Sequence, residues 1–228
     1  MRLPRREAIT RLALRIVDRR LGHPTRVAID GVTASGKSTL ARELTAAVAA
    51  LGPPARPVIH VSMDGFHHPR ARRHRQGRES AVGYYEDAYD FTALAREVLE
   101  PLGPAGDRRY RTSVIDLHTD TATAEPPQTA PADAVLVVDG TFLQRPEVRD
   151  LWDERVWVDT PLPLARERGV ARDAEQLGGR DAAQRLFVQR YHAAARLYID
   201  AVAPAERATV IFGNDARDRA DLQFMTAA

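Results

Sequence analysis

The chain predicts an α/β fold, an open parallel sheet covered on both faces by helices, and three observations carry that expectation. Apolar strand-like runs and helix-like runs alternate along its whole length. The strand-like runs, such as Ala134-Val135-Leu136-Val137-Val138, are apolar at every position, as strands buried on both faces must be. The first of them, Val27-Ala28-Ile29, leads through a glycine-rich segment directly into a helix-like run beginning at Leu40.

That segment, Gly31-Val32-Thr33-Ala34-Ser35-Gly36-Lys37-Ser38-Thr39, has the G-x-x-x-x-G-K-[ST] spacing of a phosphate-binding loop in its required strand-then-helix context. Glycines let the backbone curl so that N–H groups point inward at phosphate oxygens, and the following helix turns its positive end to the same charge. Gly31, Thr33, Ala34, Ser35, Gly36, Lys37, Ser38 and Thr39 are therefore read as the ATP-binding segment. Lys37 reaches the outer phosphates and the Ser38 hydroxyl is a magnesium ligand. The chain has 33 basic residues, and Lys37 is its only lysine. In so arginine-biased a chain, lysine stands where a compact ammonium on a flexible stem is needed.

At 228 residues one domain with one sizeable core is expected, with 44% hydrophobic and 28% charged residues, ordinary for a globular protein. A net charge of only +2 implies no polyanion partner, and no nucleic acid is expected. The absence of cysteine excludes disulfides, thiolate metal sites and cysteine nucleophiles. No run approaches the length of a membrane span and no apolar core follows the basic N-terminus, so no membrane partner and a cytoplasmic location are expected. A homo-oligomer is compatible with the composition.

Taken in order, residues 7–21 place Ile9, Leu12, Ile16 and Val17 at helical spacing; an Arg-rich presequence is the competing reading. Gly22-His23-Pro24 ends that helix and residues 26–30 form the first strand. The helix from Leu40 is expected to stop at Gly52-Pro53-Pro54. A second strand over 57–63 ends in Asp64-Gly65-Phe66-His67-His68, which puts Asp64 on the ligand side of a parallel sheet. The cluster Arg70, Arg72, Arg73, Arg75 and Arg78 has two readings, a mobile flap that meets an anionic ligand or a solvated charge run. No aromatic residue interleaves with it as a stacking platform for bases. His67, His68 and His74 lack recognised metal-ligand spacing.

Tyr84, Tyr85 and Tyr89 with Glu86, Asp87 and Asp90 suit a polyhydroxylated or planar small molecule, although Asp90 could simply cap the helix expected over 92–102. Residues 108–117 read as a short irregular strand or hairpin and 119–131 as a connecting loop. Strand 134–140 ends in Asp139, the expected place for the acid that holds a metal's water shell. Another strand follows over 155–159. A helix and loop over 164–180 carry Arg166, Arg168, Arg172 and Arg180, a long helix spans 182–203, and a last strand over 208–212 is closed by Gly213-Asn214-Asp215.

A phosphate loop serves small-molecule kinases, GTPase switches and assembly ATPases. A guanine-reading Asn/Thr-Lys-x-Asp segment cannot be built without a second lysine, and nothing suggests the partner-facing elements of an ATPase module. A kinase needs a phosphate cradle, a metal acid, a base and mobile cations, and Gly31 to Thr39, Asp139, Asp64 and the arginines of 166–180 offer them.

The chain over about residues 26–215 resembles the uridine kinase and phosphoribulokinase group of small-molecule kinases. The resemblance rests on Ile29-Asp30-Gly31 leading into Ala34-Ser35-Gly36-Lys37-Ser38-Thr39, on Asp64-Gly65-Phe66, on Asp87-Ala88-Tyr89-Asp90, and on Pro131-Ala132-Asp133 leading to Asp139-Gly140. It continues through Glu147-Val148-Arg149-Asp150-Leu151, Val158-Asp159, Arg172-Asp173 and Gly179-Arg180-Asp181. It implies a P-loop NTPase three-layer sandwich with a five-stranded parallel sheet, a helical Arg-rich lid over about 164–181 carrying Arg168 and Arg172 as catalytic cations, ATP and Mg2+ as cofactors, and Asp64 as the base that takes the acceptor proton.

At the acceptor side the chain departs from uridine kinases. Tyr84 stands where they carry an acid for the ribose hydroxyls, Ile115-Asp116-Leu117 and Asp120 stand where they carry a Tyr-Asp-Phe segment with a following histidine, and His67 replaces a frequent tyrosine. The acceptor roles are assigned instead to His67, Tyr85 and Asp87, within an acceptor-side loop over about 64–91. The expectation is an ATP- and magnesium-dependent kinase acting on a primary hydroxyl of a small-molecule acceptor, a nucleoside 5′-hydroxyl first. A non-nucleoside alcohol such as pantothenate or a sugar, and a catalytically silent ATP-binding regulator, are the alternatives.

Overall fold

The computed structural model describes residues 1–51 and 56–225. Seven strands build one sheet: β1 (Arg2–Pro4), β2 (Thr25–Asp30), β3 (Val58–Ser62), β4 (Val135–Gly140), β5 (Glu154–Asp159), β6 (Val210–Gly213) and β7 (Arg219–Phe224). Their order across the sheet is β1-β7-β6-β5-β2-β4-β3. From β6 to β3 every pairing is parallel. At the other edge β7 and β1 are antiparallel.

The apolar strands fill two cores at once. On one face Val27, Ile29, Val135 and Val137 pack against Leu12 and Ile16 of helix α1 (Arg5–Asp18) and Leu40 and Leu44 of helix α2 (Lys37–Ala49). On the other, Ala28, Leu136 and Val138 meet Leu94, Leu99, Phe142 and Tyr198. Alternate residues of one strand thus enter opposite cores, which is why no polar alternation is visible. The second face is closed by α3 (Ala81–Asp87), by the turn Phe91–Leu94 continued as a π-helical turn to Leu99, and by later helices. Those are α4 (Leu162–Asp173), α5 (Arg180–Leu186) and, beyond a π-helical turn over Phe187–His192, α6 (Ala193–Val202).

Arginines buried here have their guanidinium groups hydrogen-bonded, as burial demands. Arg26, the second residue of β2, gives Nε and Nη2 to both oxygens of Asp153, each at 3.0 Å. Arg56 places its Nη1 on the carbonyls of Ile16, Val17 and Arg19, at 3.2, 3.2 and 2.9 Å, and so supplies a cation at the negative end of α1.

Two helix expectations are corrected, while the five expected parallel strands are present and the sheet extends beyond them to seven, because β7 continues after Gly213-Asn214-Asp215 and β1 pairs with it, both antiparallel. Along β7 only Ala220 and Leu222 are buried, so its alternating charged residues look like a loop in the sequence. The long helix over 182–203 is α5 and α6 joined through a π-helical turn. The helix expected over 92–102 starts at Phe91, capped by the Asp90 side chain on Ala93 N–H at 2.8 Å, and ends in a π-helical turn at Leu99. The helix stop at Gly52-Pro53-Pro54 lies outside the described residues; α2 ends at Ala49.

Candidate functional site

At the carboxyl ends of β2, β3 and β4 lies a cleft of about 780 Å³ lined by the phosphate loop, the β3 turn, the arginine loop over 69–80 and the helices α4 and Phe187–His192. The loop Gly31 to Gly36 is closed by Ser35 N–H to Val32 O at 3.0 Å. Gly36, with φ +96°, sits in the left-handed region, and a Cβ there would lie 2.3 Å from Asn214 Nδ2, so only glycine fits. The helix that follows leaves the N–H groups of its first turn without intrahelical partners, aimed at the cleft mouth.

Lys37 is buried, and its Nζ donates to Val32 O at 2.8 Å. Burial lowers its pKa to about 8, against the raising influence of Asp30, Asp139 and Asp64. Asp30 itself is fully buried, accepting from Tyr198 Oη at 2.5 Å, Gly31 N–H at 2.8 Å and Gln144 Nε2 at 3.3 Å. Desolvation raises its pKa despite those donors.

Asp139, at the end of β4, lines the cleft beside the phosphate loop. Ser38 Oγ donates to its Oδ2 at 2.5 Å, and His60 Nε2 lies 2.7 Å from its Oδ1. The pair fits a magnesium ion arriving with a triphosphate: the Ser38 hydroxyl would bind it, the Asp139 carboxylate would hold its water shell, and the ion would neutralise phosphate charge. Among the described residues no group of three or more His, Cys, Asp or Glu forms a metal cage, so such an ion would be carried mainly by its nucleotide. The hydroxyl of Thr33, a residue that lines the cleft, is buried and unpartnered, as a polar group left for a phosphate oxygen would be.

Asp64 stands in the 3₁₀ turn Met63–Phe66 that ends β3, its side chain 72% exposed to the cleft. His67 Nε2 lies 3.6 Å from its Oδ1. That imidazole, with Lys37 and Arg172 adding to it, holds the carboxyl below its ordinary range and therefore ionised. His67 is oriented from behind by Nδ1 to Ala88 O at 2.8 Å and by stacking on Tyr89 with centroids 4.2 Å apart.

The structure brings Thr33, Ala34, Lys37, Ser38, Asp64, His67, Asp139 and Arg172 around one cleft. Gly31, Ser35 and Gly36 shape the loop behind it, and Thr39 is exposed on α2. Three further expected residues, Arg168, Tyr85 and Asp87, are also absent from the cleft lining. Arg168 turns to the carbonyls of Asn214 and Asp215, at 2.9 and 3.4 Å. Tyr85 packs edge-on to Phe142 and under the Arg145 guanidinium, 4.6 Å from its ring centroid. Asp87 is buried beneath the arginine loop, bound by Gln76 Nε2 at 2.7 Å and Arg75 Nε at 2.9 Å. Burial pushes its pKa up, but those hydrogen bonds outweigh it and keep the carboxyl below its usual range. For Tyr85 the periodicity is the reason: α3 starts at Ala81, so Tyr84 faces the cleft and the next residue is turned off it, whereas Asp87, three residues on from Tyr84, is held away by Arg75 and Gln76.

Sequence reasoning missed His60, Asn214 and Arg190, and it named Tyr84 in the aromatic cluster but gave the acceptor role to Tyr85. The signal for His60 lay only in strand register, since β3 runs beside β4 with Ser62 opposite Asp139. Asn214 donates Nδ2 to Ser35 O at 2.7 Å while its Oδ1 takes Arg5 Nη1 at 2.6 Å, which ties α1 to the phosphate loop across 209 residues of sequence. The segment carrying Arg172 is docked: a Cβ at Gly169 would fall 2.0 Å from Phe187 Cζ and 3.0 Å from Ala34 Cβ, so glycine lets α4 lie against the loop.

Comparison with known proteins agrees with this geometry. A pantothenate kinase of Rhodopseudomonas palustris (strain BisA53) is 32% identical over 171 residues, covering 70% of this chain and 52% of that protein. The chain thus spans about half the length of the pantothenate kinases it matches. A uridine kinase of Alkaliphilus metalliredigens is 27% identical over 159 residues, 69% of this chain and 72% of the relative. A solved structure described as a possible uridine kinase from Bacillus stearothermophilus superposes with TM-score 0.69 at 25% identity, over 90% of this chain and 97% of that one. Residues 27–214 match the family described as Phosphoribulokinase / Uridine kinase, and the chain belongs to that family of kinases.

Proposed function

We propose that the protein transfers the γ-phosphoryl group of ATP to a primary hydroxyl of a small metabolite. One observation carries the reading: Lys37, the Ser38–Asp139 pair and the ionised Asp64 converge from three strand ends on a single cleft. The loop amides and Lys37 hold the outer phosphates, and Arg172, on the opposite wall, faces the charge that spreads over the moving phosphoryl group. Bound magnesium supplies further neutralisation of the phosphates. Asp64 accepts the proton of the acceptor hydroxyl as that oxygen bonds to the γ-phosphorus and the bond to the leaving ADP oxygen breaks.

Arg172 is prepaired with Asp173, Nε to Oδ1 at 2.6 Å and Nη2 to Oδ2 at 2.9 Å, so it is oriented before ligand arrives. Asp173 is also the main reason its guanidinium pKa is raised.

The acceptor is a non-nucleoside alcohol in this reading, because Asp87, the acid that would take ribose hydroxyls, is buried under Arg75 and Gln76. A nucleoside is the second reading, favoured by the similarity to a possible uridine kinase and by the aromatic wall of Tyr84, Tyr89 and Tyr191. Phosphorus NMR of ATP with each of a set of alcohols tests both. One phosphate monoester formed per ADP, with a non-nucleoside acceptor, is expected. ATP that is bound but consumed with no alcohol would leave a silent nucleotide-binding protein.

A further inference from the structure

The arginine loop has a defined place. Its turn Arg70–Arg73 is fixed by Asp120, which accepts Arg70 N–H at 2.9 and 3.0 Å and Arg73 Nη2 at 2.9 Å. Asp87 fixes the next residues through Arg75 and Gln76. The result is that Arg70, Arg73 and Arg78 line the same cleft as Asp64, facing Arg190 across it.

Charge accounting then separates these groups. Arg73 is paired with Asp120 and Arg172 with Asp173. Among the described residues, Arg70, Arg78 and Arg190 have no carboxylate within ion-pair distance. Arg190 is held by stacking over Tyr84 and Tyr191, at 4.9 and 5.4 Å from their centroids, and its Nε is buried without a partner. On the acid side, Asp139 is engaged by Ser38 and His60 and Asp173 by Arg172, which leaves Asp64, with only the His67 imidazole beside it at 3.6 Å, as the lining carboxylate open to an acceptor hydroxyl among the residues described. A neutral polyol would find few acceptors here and an excess of cations with nothing to neutralise them.

Resting on the kinase reading above, we propose that the acceptor is a hydroxy compound carrying a carboxylate or phosphate, and that Arg78 and Arg190, with Arg70, hold that anionic group while its hydroxyl faces Asp64. The fork of a guanidinium suits either anion, and charge-assisted hydrogen bonds are the strong ones. His74 is a built-in reporter: burial and then the guanidiniums of Arg190, Arg73, Arg78 and Arg70 push its pKa down, so an anion among them must bring it back up.

The test uses the full chain with ATP and magnesium and three matched acceptor pairs: glycerate and glycerol, pantothenate and pantothenol, fructose 6-phosphate and fructose. In at least one pair the charged member should exceed the neutral one by about 100-fold in kcat/KM, the first two pairs reporting carboxylate and the third phosphate. Arg78→Gln and Arg190→Gln should raise the KM of that acceptor about 10- to 100-fold, the scale of one lost charge-assisted contact, and leave the KM for ATP unchanged. Arg78 is exposed, so its variant stands even where loss of the Arg190 stacking disturbs the fold. Independently, with a non-hydrolysable ATP analogue and magnesium filling the loop, inorganic phosphate and each charged probe should raise the His74 pKa in NMR titration, and less so in Arg78→Gln.

Neutral members turned over as well as their charged partners, or a His74 titration unmoved by every anion, would overturn the proposal. An intact His74 response with no ATP consumed for any acceptor would support the anion site while removing the kinase reading.

Discussion

The two halves of the cleft are built in opposite ways. The nucleotide half is one continuous stretch, Gly31 to Thr39, whose working groups are backbone N–H donors and one lysine, locked by Asn214 and Thr160 on Ser35 O at 2.7 and 3.0 Å. The acceptor half is assembled from side chains of the β3 turn, the arginine loop, α3 and the Phe187–His192 turn, which are far apart in the chain. Backbone donors can serve any nucleoside triphosphate and are fixed by a short motif. Side chains gathered from four segments can be exchanged singly, so specificity resides there.

Substitutions in the two halves should therefore separate kinetically. The largest effect is expected of Lys37→Ala, which removes a transition-state donor and should lower turnover by about two to three orders of magnitude in steady-state assays. An unchanged rate would dissolve the distinction between the halves. Asn214→Ala removes the brace on Ser35 O and leaves Arg5 with one partner fewer. One lost buried hydrogen bond of about 1–1.5 kcal/mol corresponds to roughly tenfold weaker ATP binding by calorimetry, with the acceptor KM unmoved. Asp120→Ala releases the arginine loop and should do the reverse, raising the acceptor KM a few-fold at constant ATP affinity.

The smallest effect is a proton. Burial holds Lys37 at about 8 in the free protein, and a bound triphosphate favours its charged form. At pH 9, nucleotide binding should take up a fraction of a proton, seen as a buffer-dependent enthalpy, and at pH 6.5 it should take up none through this group. Because the unfolded lysine, near 10.5, binds protons more tightly than the folded one, Lys37 makes the ligand-free protein more stable as pH rises from about 8 to 10.5.

The same contrast explains what was legible in the sequence. The central parallel strands could be read from their unbroken apolar runs, such as Val27 to Ile29 and Ala134 to Val138, while β7 could not, since only Ala220 and Leu222 of its residues are buried. The phosphate loop could be read because its physics is local. Asp64 and Asp139 could be placed on the cleft because each ends an apolar strand. The acceptor residues depended on the phase of α3, where a helix beginning at Ala81 turns Tyr84 to the cleft and Tyr85 off it; the local signal for that phase, Ser80 as N-cap accepting Gly83 N–H at 2.9 Å, was passed over. Arg168 and Arg172 are four residues apart on α4, yet only Arg172 lines the cleft, because the β6 end draws Arg168 to Asn214 O. The arginine cluster was visible as charge; that Asp120 and Asp87 tie it down was not, since both partners lie outside it in sequence.

The central claim is that an ionised Asp64, held beside His67, receives the acceptor proton in the cleft that holds the triphosphate. Single-turnover kinetics of Asp64→Asn with saturating ATP and acceptor test it most directly. The expected result is phosphoryl transfer slowed by about a hundredfold or more with ATP affinity unchanged. Transfer within a few-fold of the native rate at unchanged ATP affinity would place the base elsewhere and contradict this account.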